Sequence, residues 1–175
     1  MKIKNNIFLV GLMGSGKTTI GKLIAKKLRY KFIDTDLLME EKTGVKVPLI
    51  FEYEGEEGFR KREAKILSEV VRLDNIVLAT GGGIVLSDNN RQQLKERGNV
   101  IYLNAEINEL AKRLSNDKTR PLLQNTDIKE KLKELMGHRS FLYESIADSI
   151  IQTKNKRAPE IANEIITNLG LDENN

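Results

Sequence analysis

The sequence predicts a three-layer α/β domain on a parallel sheet of five strands, with ligands at the carboxyl ends of those strands. Three observations predict it. Short apolar runs alternate with stretches of helical periodicity along the whole chain. Ile7-Phe8-Leu9-Val10, Ile76-Val77-Leu78-Ala79 and Val100-Ile101-Tyr102-Leu103 are apolar without interruption, as strands covered on both faces require. A glycine-rich loop, Gly11 to Thr18, stands directly between the first run and a helical pattern. At 175 residues the chain has the size of one domain that buries about 70% of its unfolded surface.

In chain order, Ile20, Leu23, Ile24 and Leu28 predict an amphipathic helix from about Lys17 to Leu28. Lys31-Phe32-Ile33 is a short strand ending in Asp34-Thr35-Asp36, and Leu37-Leu38-Met39-Glu40 reads as helix, with Asp36 available as its N-cap. From Thr43 to about Val71 the helical pattern is interrupted by Gly44, Pro48, Gly55 and Gly58, which predicts short helical pieces. The last opens at Phe59-Arg60-Lys61-Arg62-Glu63 and turns Ala64, Leu67, Val70 and Val71 inward. Residues 37–71 are thus a place for a small acceptor-binding subdomain. The strand Ile76–Ala79 ends in Thr80-Gly81-Gly82-Gly83, and a helix follows, capped by Ser87 or Asp88 and closed by Gly98. Val100–Leu103 is the next strand, and Ile107, Leu110, Ala111 and Leu114 mark the next helix. Residues 115–126 are polar, with Arg113, Lys118 and Arg120 on or beside them, and read as a mobile flap. Asp127 and Glu130 form a capping-box start for a helix to about Ser145, with Ile128, Leu132, Leu135, Met136 and Leu142 inward and His138 partly exposed. Ser149–Gln152 is the fifth strand. Pro159 suits the first turn of a closing helix whose stripe is Ile161, Ile165, Ile166 and Leu169; Gly170 ends it, and the tail from Asp172 to Asn175 is expected to fray.

Gly11-Leu12-Met13-Gly14-Ser15-Gly16-Lys17-Thr18 meets every fixed position of the phosphate-binding P-loop, in the strand–loop–helix setting that gives the motif its meaning. Glycines let the backbone curl with its N–H groups inward; Lys17 adds a charge for the β- and γ-phosphates, Thr18 offers a hydroxyl to magnesium, and the helix N-terminus favours the same anion. No aspartate closes the strand Ile76–Ala79, so Asp34 is the nearest comparable carboxylate for a magnesium ion. Three consecutive glycines cost backbone entropy, which points to close approach of a ligand at Gly81–Gly83. Arg60 and Arg62 are ambiguous by themselves, because most surface arginines are solvated; Arg60 and Arg139 lie on separate elements.

Composition narrows the classes. With no cysteine and one histidine, disulfides, thiolate chemistry and histidine metal centres are excluded. Net charge is +4, from 29 basic and 25 acidic residues that are intermixed, which favours anion-binding arginines over a nucleic-acid surface. Lys2 and Lys4 precede an apolar run too short for a signal-peptide core, and no stretch is long enough to span a bilayer. The expectation is a cytoplasmic monomer without nucleic-acid or membrane partners.

Taken together, the phosphate loop, Asp34-Thr35-Asp36, the Phe59-Arg60 pair with Glu63, Gly81-Gly82-Gly83, Arg120-Pro121-Leu122-Leu123, and Arg139 four residues before Tyr143 resemble the shikimate kinase family over nearly the whole chain. The resemblance implies the P-loop kinase fold with sheet order 2-3-1-4-5, a single domain over 1–175 with a helical acceptor-binding insertion at 37–71 and a lid at 115–126. It also implies ATP and Mg2+ as cofactors and transfer of phosphate to the 3-hydroxyl of shikimate, in aromatic amino-acid biosynthesis. By the same resemblance, Gly14, Ser15, Gly16, Lys17, Thr18, Thr19 and Arg120 hold the nucleotide, Arg113, Arg157 and Pro159 line its adenine, and Asp36, Arg60, Gly81, Gly82, Gly83 and Arg139 hold the acceptor. Lys17, Asp36 and Arg120 act in catalysis, with Thr18 and Asp34 toward the metal. Lys46-Val47-Pro48 departs from the family pattern, which commonly has a small hydroxyl residue in place of Lys46, so the local shape of the acceptor subdomain is expected to differ. Gluconate kinase is the alternative small-molecule kinase. Adenylate kinase fits less well, and a GTP switch would need an Asn-Lys-x-Asp motif that the chain lacks.

Overall fold

In the computed structural model, which describes residues 5–171, five parallel strands pair in the order β2-β3-β1-β4-β5: β1 Ile7–Val10, β2 Lys31–Asp34, β3 Ile76–Ala79, β4 Asn99–Asn104 and β5 Ser149–Gln152. The helices are α1 Lys17–Leu28, α2 Thr35–Thr43, α3 Val47–Val70, α4 Asp88–Arg97, α5 Ile107–Leu114, α6 Ile128–Ile146 and α7 Ala158–Asn168, with single 3-10 turns at Ile84–Leu86 and Pro121–Leu123.

The central strand sets the layers. All four residues of β1 are fully buried, Ile7 opposite Val77 on β3 and Asn99 on β4. Because successive strand side chains alternate in direction, Phe8 and Val10 enter one apolar cluster with residues of α2, α3 and α6, while Ile7 and Leu9 enter a second with α1 and α7. The carboxyl ends of all five strands consequently open on one edge, where the phosphate loop follows β1 and the triple glycine follows β3.

The helices begin and end largely where the sequence places them, with three differences. The cap of α2 is Asp34, not Asp36: its carboxylate accepts the N–H groups of Asp36 at 3.0 Å and Leu37 at 3.1 Å. α3 is broken at Gly55, whose φ of 69° lies in the left-handed region; Pro48 sits in the first turn and Gly58 remains helical, so the last piece begins before Phe59. On that piece Ala64 is only half-buried, and Glu63 and Ile66 share the inner face with Leu67 and Val70. Glu63 is 0% exposed, a buried charge that apolar periodicity does not report.

Ser87 caps α4 through the Asn90 N–H, and Asp127 caps α6 through the Glu130 N–H. Lys2, Lys4 and the tail Asp172 to Asn175 lie outside the described residues. No helix among the described residues is long and apolar enough to cross a membrane.

Gly98, between α4 and β4, has extended backbone that any residue can adopt, yet a Cβ there would stand 2.5 Å from the buried Phe8 ring. The Gly98→Ala variant is expected to lose about 1–3 kcal/mol by overpacking, seen as a lower midpoint in urea unfolding with an unchanged slope. An unaltered midpoint would show that the contact between α4 and β1 is slack.

Candidate active site

A cavity of about 920 Å³ runs along the carboxyl edge of the sheet, from the start of α7 across the phosphate loop to α3. It is lined at one end by Gly14 to Thr19, Arg113 and Lys156, and at the other by Asp36, Arg60, Gly81 to Gly83 and Arg139, with Arg120 among the residues of its wall.

The loop folds as its glycines require. Gly16, with φ 96°, is the N-cap of α1, and a Cβ on Gly11 would stand 2.7 Å from the Leu103 carbonyl. Lys17 Nζ donates to the carbonyls of Gly11 at 2.7 Å and Leu12 at 2.9 Å, and to Ser15 Oγ at 3.4 Å. Burial, and then the nearby Arg120 guanidinium, bring its pKa down to about 8. Thr18, one position on, donates its hydroxyl to Asp34 Oδ2 at 2.7 Å.

Asp34 and Asp36 thus take different places. Asp34 is fully engaged, by Thr18 on one oxygen and by two N–H groups of α2 on the other. Asp36 faces the cavity; its Oδ2 is 3.8 Å from Arg120 and its buried Oδ1 has no hydrogen-bond partner in the protein. Burial, and then the Asp34 charge, raise its carboxyl above the ordinary range, with Arg120 and Lys17 opposing.

The end of the cavity away from the phosphate loop is held by side chains against backbone. Arg60 Nη1 bonds Glu63 Oε2 at 2.9 Å, and Arg60 Nη2 bonds Glu56 Oε1 at 3.1 Å. Burial raises the pKa of Glu63, against the pull of Arg60. Arg139 is 4% exposed, hydrogen-bonded to the Tyr143 hydroxyl, which in turn donates to the Gly82 carbonyl; the Tyr143 ring stacks on Tyr102. Gly81 N–H donates to Thr35 Oγ1 at 2.9 Å. A Cβ on Gly81 would lie 2.6 Å from Glu63 Oε1, and one on Gly83 2.2 Å from the Arg60 guanidinium. The glycines make room for these two side chains, in addition to leaving bare main chain in the cavity wall.

Most of the residues singled out in the sequence are brought together. Arg113 reaches the Gly14 carbonyl at 3.0 Å, with Glu109 at 3.6 Å. Arg157 and Pro159 are not brought to the wall. The Arg157 side chain is 83% exposed and paired with Glu160, and Pro159 is exposed on the first turn of α7; Lys156, Ala158 and Ile161 line the cavity there instead. Sequence reasoning missed Thr35, which ties the start of α2 to the triple glycine, and Lys156. A buried threonine between two aspartates carries no periodic signal, and nothing in sequence separates Lys156 from its exposed neighbour Lys154.

Three comparisons bear on this site. The family model for shikimate kinase matches residues 13–170. The chain is 51% identical over 164 residues to a shikimate kinase of Nitrosococcus oceani, covering 94% of this chain and 86% of that one. A solved shikimate kinase from Acinetobacter baumannii in complex with shikimate superposes with a TM-score of 0.93 at 42% identity, covering 97% of this chain and 95% of that one. A gluconokinase from Sinorhizobium meliloti matches with a TM-score of 0.64 at 19% identity, over 97% and 94% of the two chains, a likeness of fold alone.

The lowered pKa of Lys17 gives stability a definite pH dependence. Below about pH 8 the lysine is charged in both folded and unfolded states, and its full desolvation cost weighs on the fold; between pH 8 and 10.5 the folded lysine alone loses its proton and the cost fades. Lys17→Met should therefore be more stable than the unaltered chain at pH 7, by up to about 3 kcal/mol, and the difference should shrink as pH rises past 8. Denaturant unfolding of both proteins at pH 7 and pH 10 measures it; a gain that grows with pH would overturn the reading.

Proposed function

The chain belongs to the shikimate kinase family, and on that premise we propose how its own groups carry out the phosphorylation of shikimate by ATP. The observation that carries the reading is the continuity of one cavity from the phosphate loop to two arginines on separate helices, with Asp36 facing it.

Gly14 to Thr19 hold the ATP phosphates through inward N–H groups and the α1 N-terminus, with Arg113 beside the loop. Lys17 exchanges the loop carbonyls it now contacts for phosphate oxygens, an exchange that favours its charged form. The donor set suits Mg2+: the Thr18 hydroxyl and the Asp34 carboxylate, 2.7 Å apart beside the phosphate loop, would hold it, and such an ion usually keeps several waters and binds substrate phosphates as well. Bound there, Mg2+ neutralises charge on the transferring phosphoryl group.

At the acceptor end, Arg60 and Arg139 bind the shikimate carboxylate, a planar anion matched by two guanidinium groups. The Gly81–Gly83 main chain and Asp36 receive the hydroxyls, and Asp36 orients the 3-hydroxyl for in-line attack. Its raised pKa makes it a better proton acceptor than an ordinary aspartate. Arg120, held between Asp117 and Asp36, moves to the transferring phosphoryl group when residues 115–126 close as a lid. Residues 37–71 serve as the acceptor-binding part of a single kinase domain, and since one chain walls the whole cavity a monomer suffices. The α7 side of the nucleotide site is carried by Lys156, Ala158 and Ile161, with Arg157 reaching it only by leaving Glu160.

Coupled measurement of ADP release with shikimate, gluconate and AMP as separate acceptors tests the function: shikimate should be used fastest, by more than tenfold. Faster turnover of gluconate or AMP overturns the acceptor assignment.

The two aspartates separate in a second measurement. Asp34→Asn should raise the Mg2+ concentration needed for half-maximal rate while shikimate affinity stays within about twofold, because asparagine still caps α2. Asp36→Asn should lower kcat by about two or more orders of magnitude and weaken shikimate binding, with the Mg2+ requirement unchanged. Reversed effects would exchange the two roles.

A further inference from the structure

α3 begins with its donors almost fully accounted for, and the one left over is met from another helix. Of the first four residues, Pro48 has no N–H, and the N–H groups of Leu49 and Ile50 donate to the Lys46 carbonyl at 3.0 and 3.2 Å. Lys46, at the N-cap position, offers no side-chain acceptor. The Val47 N–H donates instead to Glu40 Oε1, across the turn from α2, at 3.0 Å. Glu40 Oε2 accepts from Lys46 Nζ at 2.8 Å. Together the lysine and the amide hold the Glu40 carboxyl below its ordinary pKa, against the opposing effect of its burial.

The position of this contact matters for the reaction. Glu40 stands one helical turn after Asp36, so both project from one face of α2 toward the same cavity. Val47, Pro48 and Phe51 of α3 form the apolar part of the acceptor wall, Phe51 against Phe59 with ring centroids 4.5 Å apart. The connection between the helices is tied to the end of α2, by the Gly44 N–H on the Glu40 carbonyl at 2.8 Å and the Val45 N–H on Thr43 Oγ1 at 3.2 Å, and the Glu40 side chain carries that hold across to the first residue of α3.

We propose that Glu40 is a positioning residue for the acceptor: by capping α3 at Val47 it sets the distance between Asp36 and the apolar wall across which shikimate lies. The Lys46 pair is a minor part of it, since the lysine is 76% exposed and such pairs contribute little. The hydrogen bond to Val47 is the larger part. Pro48 suits this arrangement, because it removes one donor that would otherwise need a partner.

The proposal rests on the acceptor assignment above, and assay of the unaltered chain tests that assignment before any variant is read. Glu40→Ala should raise the KM for shikimate about five- to tenfold, the equilibrium worth of one helix cap, with kcat and the KM for ATP within about twofold. Glu40→Gln, which keeps an oxygen for the Val47 N–H, should stay within about twofold of the unaltered chain, as should Lys46→Ala. Amide exchange of the peptide spanning residues 45–54 should quicken in Glu40→Ala and not in Glu40→Gln. If the alanine variant does not fold, Glu40→Met replaces it, keeping the stem without the acceptor. Glutamine as damaging as alanine or methionine, an unchanged shikimate KM in the variants without the acceptor, or an equal rise in the KM for ATP would each overturn the proposal.

Discussion

The Asp34 carboxylate joins the two halves of the site. One oxygen accepts the Thr18 hydroxyl from the first turn of α1, and the other caps α2, the helix that bears Asp36. The phosphate loop and Asp36 are therefore positioned by one side chain at the end of an edge strand. Phosphoryl transfer depends on alignment and charge compensation more than on covalent participation, so such a joint is where geometric error would be most costly. Burial, and then the same charge, keep Asp36 more basic than an isolated aspartate, which couples the two carboxylates.

Around that joint the cavity alternates in sign. Lys17, Arg120, Arg113 and Lys156 attend the phosphate end; Arg60 and Arg139 attend the far end, each held by a buried or half-buried partner. Arg60 is aimed by Glu63 and Arg139 by Tyr143, so neither guanidinium spends its fork on solvent. Glu63 and Tyr143 shape the far end of the cavity through the residues they hold and through the Gly81 to Gly83 backbone pressed against them.

Much of this was legible in the chain. α1 and β3 run as the periodicity indicates, because their apolar stripes and runs face a core on the expected sides. The phosphate loop and the two aspartates announce themselves by residue type and spacing, whereas Arg139 is singled out by the family resemblance. What escaped reading depends on contacts between distant elements. Asp34 rather than Asp36 caps α2 because the helix starts at Thr35, directly after the strand, so that Asp34 is both the last strand residue and the cap. The interruption at Lys46-Val47-Pro48 looks like a missing cap until Glu40 is seen to supply it from α2. Arg157 turns to Glu160, a local partner that competes with any distant one.

The central position of β1 has a consequence for how the chain is made. β1 leaves the ribosome first, yet its neighbours β3 and β4 come from the middle of the chain, and parallel pairing offers no local hairpin to hold it in the interval. A fully apolar strand attached to an unformed phosphate loop must stay unpaired during synthesis until residues 76–79 and 99–104 have emerged. The phosphate loop, although it precedes those strands in the chain, is among the later parts to acquire its final shape, and nucleotide can report on folding only once β3 and β4 have been made.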